Sequence, residues 1–152
     1  MISYGFAKVF FNQFGNVTDY RLYQEFGDMS PMGLLWTFMA FSKGYQFFAG
    51  LGEVLGGFLL FFRRTTLVGS LILIGVMSNV VLLNLFYDVP VKILSTLLLS
   101  MGLYLVAADT KRLLYFFFLN RPVPARTYPL YSTEKWFIWG RIALKTLLIT
   151  GL

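Results

Sequence analysis

TTLVGSLILIGVMSNVVLLNLFY, residues 65–87, is an apolar stretch without a charged side chain. As an α-helix it extends about 34 Å, because each residue adds about 1.5 Å along the axis. The hydrocarbon layer of a membrane is about 30 Å thick, so the stretch is long enough to cross it. The stretch therefore predicts a transmembrane helix and decides the expected fold class.

Apolar segments flank this stretch on both sides. Residues 34–62 are apolar apart from Lys43 and Glu53, and a further apolar run begins after Pro90. Residues 1–14 are also apolar, although a helix of that length extends only about 21 Å. We expect an all-α membrane protein, with a four-helix transmembrane bundle over residues 1–119 and an additional C-terminal apolar helix. The predicted bundle helices are 1–14, 34–62, 65–87 and 91–118.

Composition supports the same fold class and excludes several kinds of site. Hydrophobic residues make up 57% of the chain and charged residues 13%, whereas soluble domains carry about 25% charged residues. The chain has no cysteine and no histidine. This excludes thiolate metal sites, disulfide relays and histidine-ligated haem, and we predict no metal site.

Charge between the apolar segments predicts the orientation in the membrane. The connection 15–30 is acidic, 63–64 is Arg-Arg, 88–92 is balanced, and 109–135 is basic. Basic connections favour the cytoplasmic side, and this alternation explains the net charge of +6 without a nucleic-acid partner. We therefore expect a protein of the bacterial inner membrane with Arg63, Arg64 and residues 109–135 in the cytoplasm.

The C-terminal part of the chain has two interpretations. Residues 120–133 are rich in proline and predict a cytoplasmic loop. Residues 134–152 are apolar, with Trp136 and Trp139 near their start. Either the chain is a piece of a longer protein, cut inside its first and last spans, or 134–152 is an amphipathic helix on the membrane surface.

Glu53 is the principal candidate for chemistry. It lies about 15 Å of helix from Arg63, which places it near the middle of the membrane. An acidic residue at that depth costs about 2.5 to 3.5 kcal/mol on insertion, so Glu53 must face the bundle. It is a candidate proton carrier. The alternative is that Glu53 only forms a hydrogen bond to a neighbouring helix, and that Gly52 and Gly56 allow that helix to pack closely.

Other polar residues extend this candidate site toward the outer surface. Such a polar cluster between aromatic residues suits an amphipathic ligand, such as a quinone or a lipid. Alternatively, Lys43 reaches the headgroups and the asparagines form hydrogen bonds between helices. The predicted ligand-binding residues are Lys8, Lys43, Gln46, Asn79, Asn84, Asp88 and Lys92.

Three motifs resemble the DoxX family. Residues 4–8, YGFAK, are similar to its Gly-x-x-Lys element, residues 48–60, FAGLGEVLGGFLL, resemble its acidic second helix, and Arg64-Thr65 matches the following turn. Order and spacing agree over about residues 1–118. The family is named after a subunit of a terminal quinol oxidase system that also handles thiosulfate. The resemblance implies a four-helix membrane bundle in which Lys8 and Glu53 are functional residues.

The chain departs from that family's pattern in three places. These are the long acidic connection, the segment from Asn84 to Lys92, and the tail beyond residue 120. The resemblance therefore implies an architecture and two site residues but no particular substrate.

The first functional hypothesis is a quinone-linked redox subunit in the lipid bilayer. Glu53 would pass protons, and a partner subunit would bring electrons, since the chain carries no redox centre of its own. An oligomer or larger complex is therefore expected, and Glu53→Gln should abolish activity without unfolding. The second hypothesis is a non-enzymatic structural, assembly or lipid-binding subunit, in which the same substitution destabilises the protein. A small transporter is a third interpretation, although no inverted repeat is evident.

Overall fold

The computed structural model describes residues 1–122, 139–140, 142–143 and 146, and these residues form helices and connections without a β-strand. The predicted all-helical fold class is confirmed for this part of the chain. A short 3-10 turn covers Phe26–Asp28. The helices are α1 Ile2–Val9, α2 Asp19–Tyr23, α3 Pro31–Phe41, α4 Lys43–Leu59, α5 Thr66–Phe86, α6 Lys92–Ala107 and α7 Thr110–Phe117.

The chain divides into two compact units, Met1–Ala108 and Asp109–Leu152. The sequence predicted a bundle that ran to residue 119, whereas the structure places α7 in the second unit. The predicted loop beyond Pro122 lies outside the described residues, as does most of the predicted helix 134–152. In the second unit, Arg112 lies 3.9 Å from Asp109 at the start of α7.

Four helices of the first unit pack in series, with α1 against α4, α4 against α5, and α5 against α6. Glycine allows the closest approach. A Cβ atom at Gly50 would lie 2.7 Å from the carbonyl oxygen of Gly5, and one at Gly69 would lie 3.0 Å from that of Gly56. Such distances are too short for a side chain, so these positions fix where α1 and α5 cross α4.

The predicted helix 34–62 is two helices in the structure, separated at Ser42. This residue has φ −107° and ψ 94°, and its Oγ accepts a hydrogen bond from the backbone N–H of Tyr45. Serine in this position competes with helical hydrogen bonding and favours a new helix start. Ser30 begins α3 in the same way, since its Oγ accepts from Gly33 N at 3.1 Å ahead of Pro31 in the first turn.

Two other predicted helices also have different bounds. The predicted helix 1–14 ends at Val9, and Phe11 then takes a positive φ of 59° that no α-helix contains. The predicted helix 91–118 is divided between α6 and α7. The predicted helix 65–87 corresponds to α5.

Among the described helices, α5 alone is long and apolar enough to cross a membrane without a second helix. The pair α6 and α7 meets the same test when the two are taken together as a broken span. Only 28% of the most apolar segment of α5 is buried within the chain. Most of this apolar surface therefore faces outward from the chain.

Candidate functional site

Lys8 of α1 and Glu53 of α4 form a buried ion pair, in which Lys8 Nζ donates to Glu53 Oε1. Their side chains are 7% and 3% exposed. The close crossing of the two helices accounts for this contact. A Cβ atom at Gly50 would lie 2.7 Å from Lys8 Cβ, and one at Gly5 would lie 3.0 Å from Glu53 Cβ. The glycine of each helix therefore faces the charged residue of the other helix and leaves room for the two side chains to meet.

This pairing supplies the partner that a buried Glu53 requires. Two opposite charges out of water are tolerated when each is close to the other, whereas one alone is strongly destabilising. In the structure the hydrogen-bonded partner is Lys8, and Asn79 lies elsewhere on the wall of the adjoining cavity.

A cavity of about 320 Å³ lies beside the ion pair, within the first unit. Its volume is at the lower end of the range of small-molecule sites. Residues from α1, α3, α4, α5 and α6 line it, together with the segment after α1. The polar lining residues are Lys8, Gln13, Glu53, Asn79, Asn84 and Ser95, and the aromatic ones are Tyr4, Phe14, Trp36, Tyr45 and Phe48.

Asn84 is the buried amide of this cavity. Its residue exposure is 6%, and its Nδ2 has no hydrogen-bond partner among the described residues. Gln13 also lines the cavity, and its buried Oε1 is likewise without a partner there. Buried polar atoms normally have partners. These two atoms therefore mark positions where a bound molecule would find hydrogen-bonding groups.

The structure separates Lys43 and Gln46 from the cavity, although both share a face of α4 with Glu53. Lys43 Nζ donates to the carbonyl oxygen of Gly15 and lies 5.2 Å from the centre of the Phe11 ring. It thereby holds the connection after α1 against the start of α4. Gln46 is fully buried, and its amide atoms have no partner among the described residues.

Asp88 and Lys92 form an exposed ion pair at the turn between α5 and α6. The hydrogen bond and the positive charge of Lys92 hold the pKa of the Asp88 carboxyl below its ordinary value. Neither side chain lines the cavity. Of the predicted site residues, the cavity thus brings together Lys8, Glu53, Asn79 and Asn84.

Sequence reasoning missed several residues of the cavity. Gln13 and Ser95 are polar residues within apolar segments, and that contrast is a signal that could have identified them. Phe14 and Trp36 give no such signal, since aromatic residues are frequent throughout the chain. Their rings contact edge to face, with centroids 5.1 Å apart.

No group of three or more acidic, cysteine or histidine side chains in the described part of the chain is arranged to hold a metal ion. The cavity is instead a site of hydrogen-bonding groups, one ion pair and aromatic surface.

The described part of the chain is thus all-helical, with a buried lysine–glutamate pair beside an aromatic cavity. The uncharacterized protein YwoB of Bacillus subtilis (strain 168) is 36% identical to the chain over 125 residues, which cover 81% of the chain and 77% of YwoB. The chain therefore belongs to the same family as YwoB. No family model matches the chain. No solved structure matches it either.

Proposed function

We propose that the chain is a DoxX-like four-helix membrane protein that binds an amphipathic ligand in the cavity beside Lys8 and Glu53. The observation that carries this proposal is the buried ion pair in the wall of an aromatic cavity. The pair joins the two residues that the resemblance to the DoxX family singles out. Two residues far apart in sequence, matched by motif alone, are thus in direct contact.

The outward-facing apolar surface supports a membrane location. Phe86 is 76% exposed and Ile93 80% exposed, and many other large apolar side chains are exposed in the first unit. A soluble protein rarely exposes apolar surface so extensively. We propose the bacterial inner membrane, with Arg63, Arg64 and residues 109–135 in the cytoplasm.

The proposed chemistry is reduction of a quinone within a larger complex. Reduction of a quinone to a quinol takes up two electrons and two protons. A partner subunit would bring the electrons, because the chain carries no redox centre of its own. Glu53 would pass the two protons to the quinone one after the other.

The test is to identify lipophilic molecules that co-purify with the protein in mild detergent. Mass spectrometry would compare the wild type with Glu53→Gln, and with Glu25→Gln as a matched substitution at an exposed site. We expect a quinone at near-equal amount with the wild type and Glu25→Gln, and much less with Glu53→Gln. Absence of any quinone from the wild type would refute the redox assignment.

A second candidate is a lipid-binding or assembly subunit without catalysis. The tight crossing at Gly5 and Gly50 favours it, because a packed ion pair can serve to fix two helices in register. In that case the co-purified molecule is a lipid, and substituting Glu53 lowers stability without altering a chemical step.

A further inference from the structure

We infer that the ligand of the cavity has an uncharged head group with a hydrogen-bond acceptor that Asn84 Nδ2 binds. This inference rests on the proposed function, since it assumes that the cavity holds a ligand. It adds the chemical class of the head group and names the residue that recognises it.

The charged side chains of the cavity disfavour an ionic head group. The charged side chains in its lining are Lys8 and Glu53, and they neutralise each other. An anionic head would have to compete with Glu53 for Lys8, and a cationic head would have to compete with Lys8 for Glu53. Either competition would leave a buried charge without its partner, which is strongly unfavourable.

The amide of Asn84 requires an acceptor. Asn84 lines the cavity, and its Nδ2 is a buried donor without a partner among the described residues. A buried donor that is left without a hydrogen bond costs more free energy than an exposed one, because burial has removed it from bulk water. A carbonyl or hydroxyl oxygen at this position would satisfy it, whereas a hydrocarbon would not.

The remaining lining indicates where the apolar part lies. Phe14 and Trp36 contact each other and both line the cavity. Because the volume of about 320 Å³ is small for a ligand site, we expect the head and only the first part of a tail to be enclosed.

The experiment compares four probes with similar chains, each carrying a terminal bromine that quenches tryptophan on contact. They are the brominated forms of 2-undecanone, decanoate, decylammonium and undecane, added at equal mole fractions to the protein in detergent micelles. The protein carries Trp136→Phe and Trp139→Phe, which leaves Trp36 as the reporter, since the chain has 3 tryptophans. Specific binding is the saturable quenching that unbrominated 2-undecanone displaces.

We expect the ketone to bind best in the otherwise unsubstituted protein. The two charged probes should bind on the order of a hundredfold more weakly, because each disturbs the ion pair. The alkane should bind roughly two- to tenfold more weakly, because it offers no acceptor. Asn84→Leu should reduce the ketone to the level of the alkane, while Asn16→Leu, at an exposed position outside the cavity, should not.

Two results would overturn the inference while leaving the proposed function intact. One is a charged probe that binds as well as the ketone, and the other is a ketone advantage that persists in Asn84→Leu. Should Asn84→Leu fail to fold, the ketone and alkane in the parent protein still test the need for an acceptor, and Asn84→Ala tests the residue that binds it. If no probe, the ketone included, shows saturable quenching there, the proposed ligand site itself is refuted.

Discussion

Removal of one charge from the Lys8–Glu53 pair should be far more damaging than removal of both. Lys8→Met leaves the Glu53 carboxylate, whose side chain is 3% exposed, without its partner. For pairs buried to this degree, loss of one partner costs about 3–5 kcal/mol, and solvent screening is too small to reduce it. Glu53→Gln should cost less than Lys8→Met, since the amide oxygen still accepts a hydrogen bond from Lys8.

The double variant Lys8→Met, Glu53→Gln removes both charges from this buried site. Replacing both members of a buried pair by neutral residues of similar volume is often nearly neutral. The double variant should therefore be more stable than Lys8→Met alone. The coupling energy in the double-mutant cycle should be at least about 2 kcal/mol, within the range for residues in contact.

The free energy of unfolding can be measured in mixed micelles of mild detergent and SDS, followed by far-ultraviolet circular dichroism. The matched control is a second cycle at Asp88 and Lys92, whose side chains are 78% and 39% exposed. Exposed pairs contribute little, so that cycle should show much weaker coupling. Effects at Lys8 and Glu53 that add to within about 0.5 kcal/mol would refute the reasoning, because independent sites behave in that way.

Three further substitutions test the packing, the connection after α1 and the exposed pair. Gly50→Ala should destabilise by about 1–3 kcal/mol in the same unfolding assay, because its Cβ would lie 2.7 Å from a backbone oxygen of α1. Gly44→Ala in the same helix should not, since nothing lies within 4 Å of its Cβ. Lys43→Met should speed amide hydrogen exchange in the connection after α1, and unchanged exchange would contradict the contact with that connection. The lowered pKa of Asp88 makes its pair with Lys92 stabilising above about pH 4. Asp88→Asn should therefore be less stable than the wild type at neutral pH, and the difference should vanish as pH falls through the folded-state pKa of Asp88.

The helical segments could be predicted because long apolar runs leave few alternatives. Residues 65–87 correspond to α5, and their hydrophobic character identifies the helix. The break at Ser42 was not predicted, although Lys43 and Gly44 follow it, because the long apolar runs on either side of these three residues suggested one continuous helix. Whether a serine caps a new helix or remains inside one depends on local hydrogen bonds, and apolar patterning does not report them.

The sequence indicated that Glu53 needs a partner but not which residue supplies it. Helical spacing reports neighbours within a helix, whereas Lys8 lies on another helix. A signal was nonetheless present. Gly5 precedes Lys8 by the same spacing as Gly50 precedes Glu53, and in the structure the glycine of each helix faces the charged residue of the other.

Residues on the same face of a helix need not belong to the same site, and α4 is an example. Near Glu53 this face meets α1 and borders the cavity, whereas at Lys43 it meets the connection after α1. That connection carries Gln13 and Phe14, which line the cavity. Lys43 therefore acts on the cavity indirectly, because it holds in place the segment that supplies these two residues. The prediction of Lys43 as a ligand-binding residue followed from periodicity, which gives direction around a helix but not the identity of the neighbour at each turn.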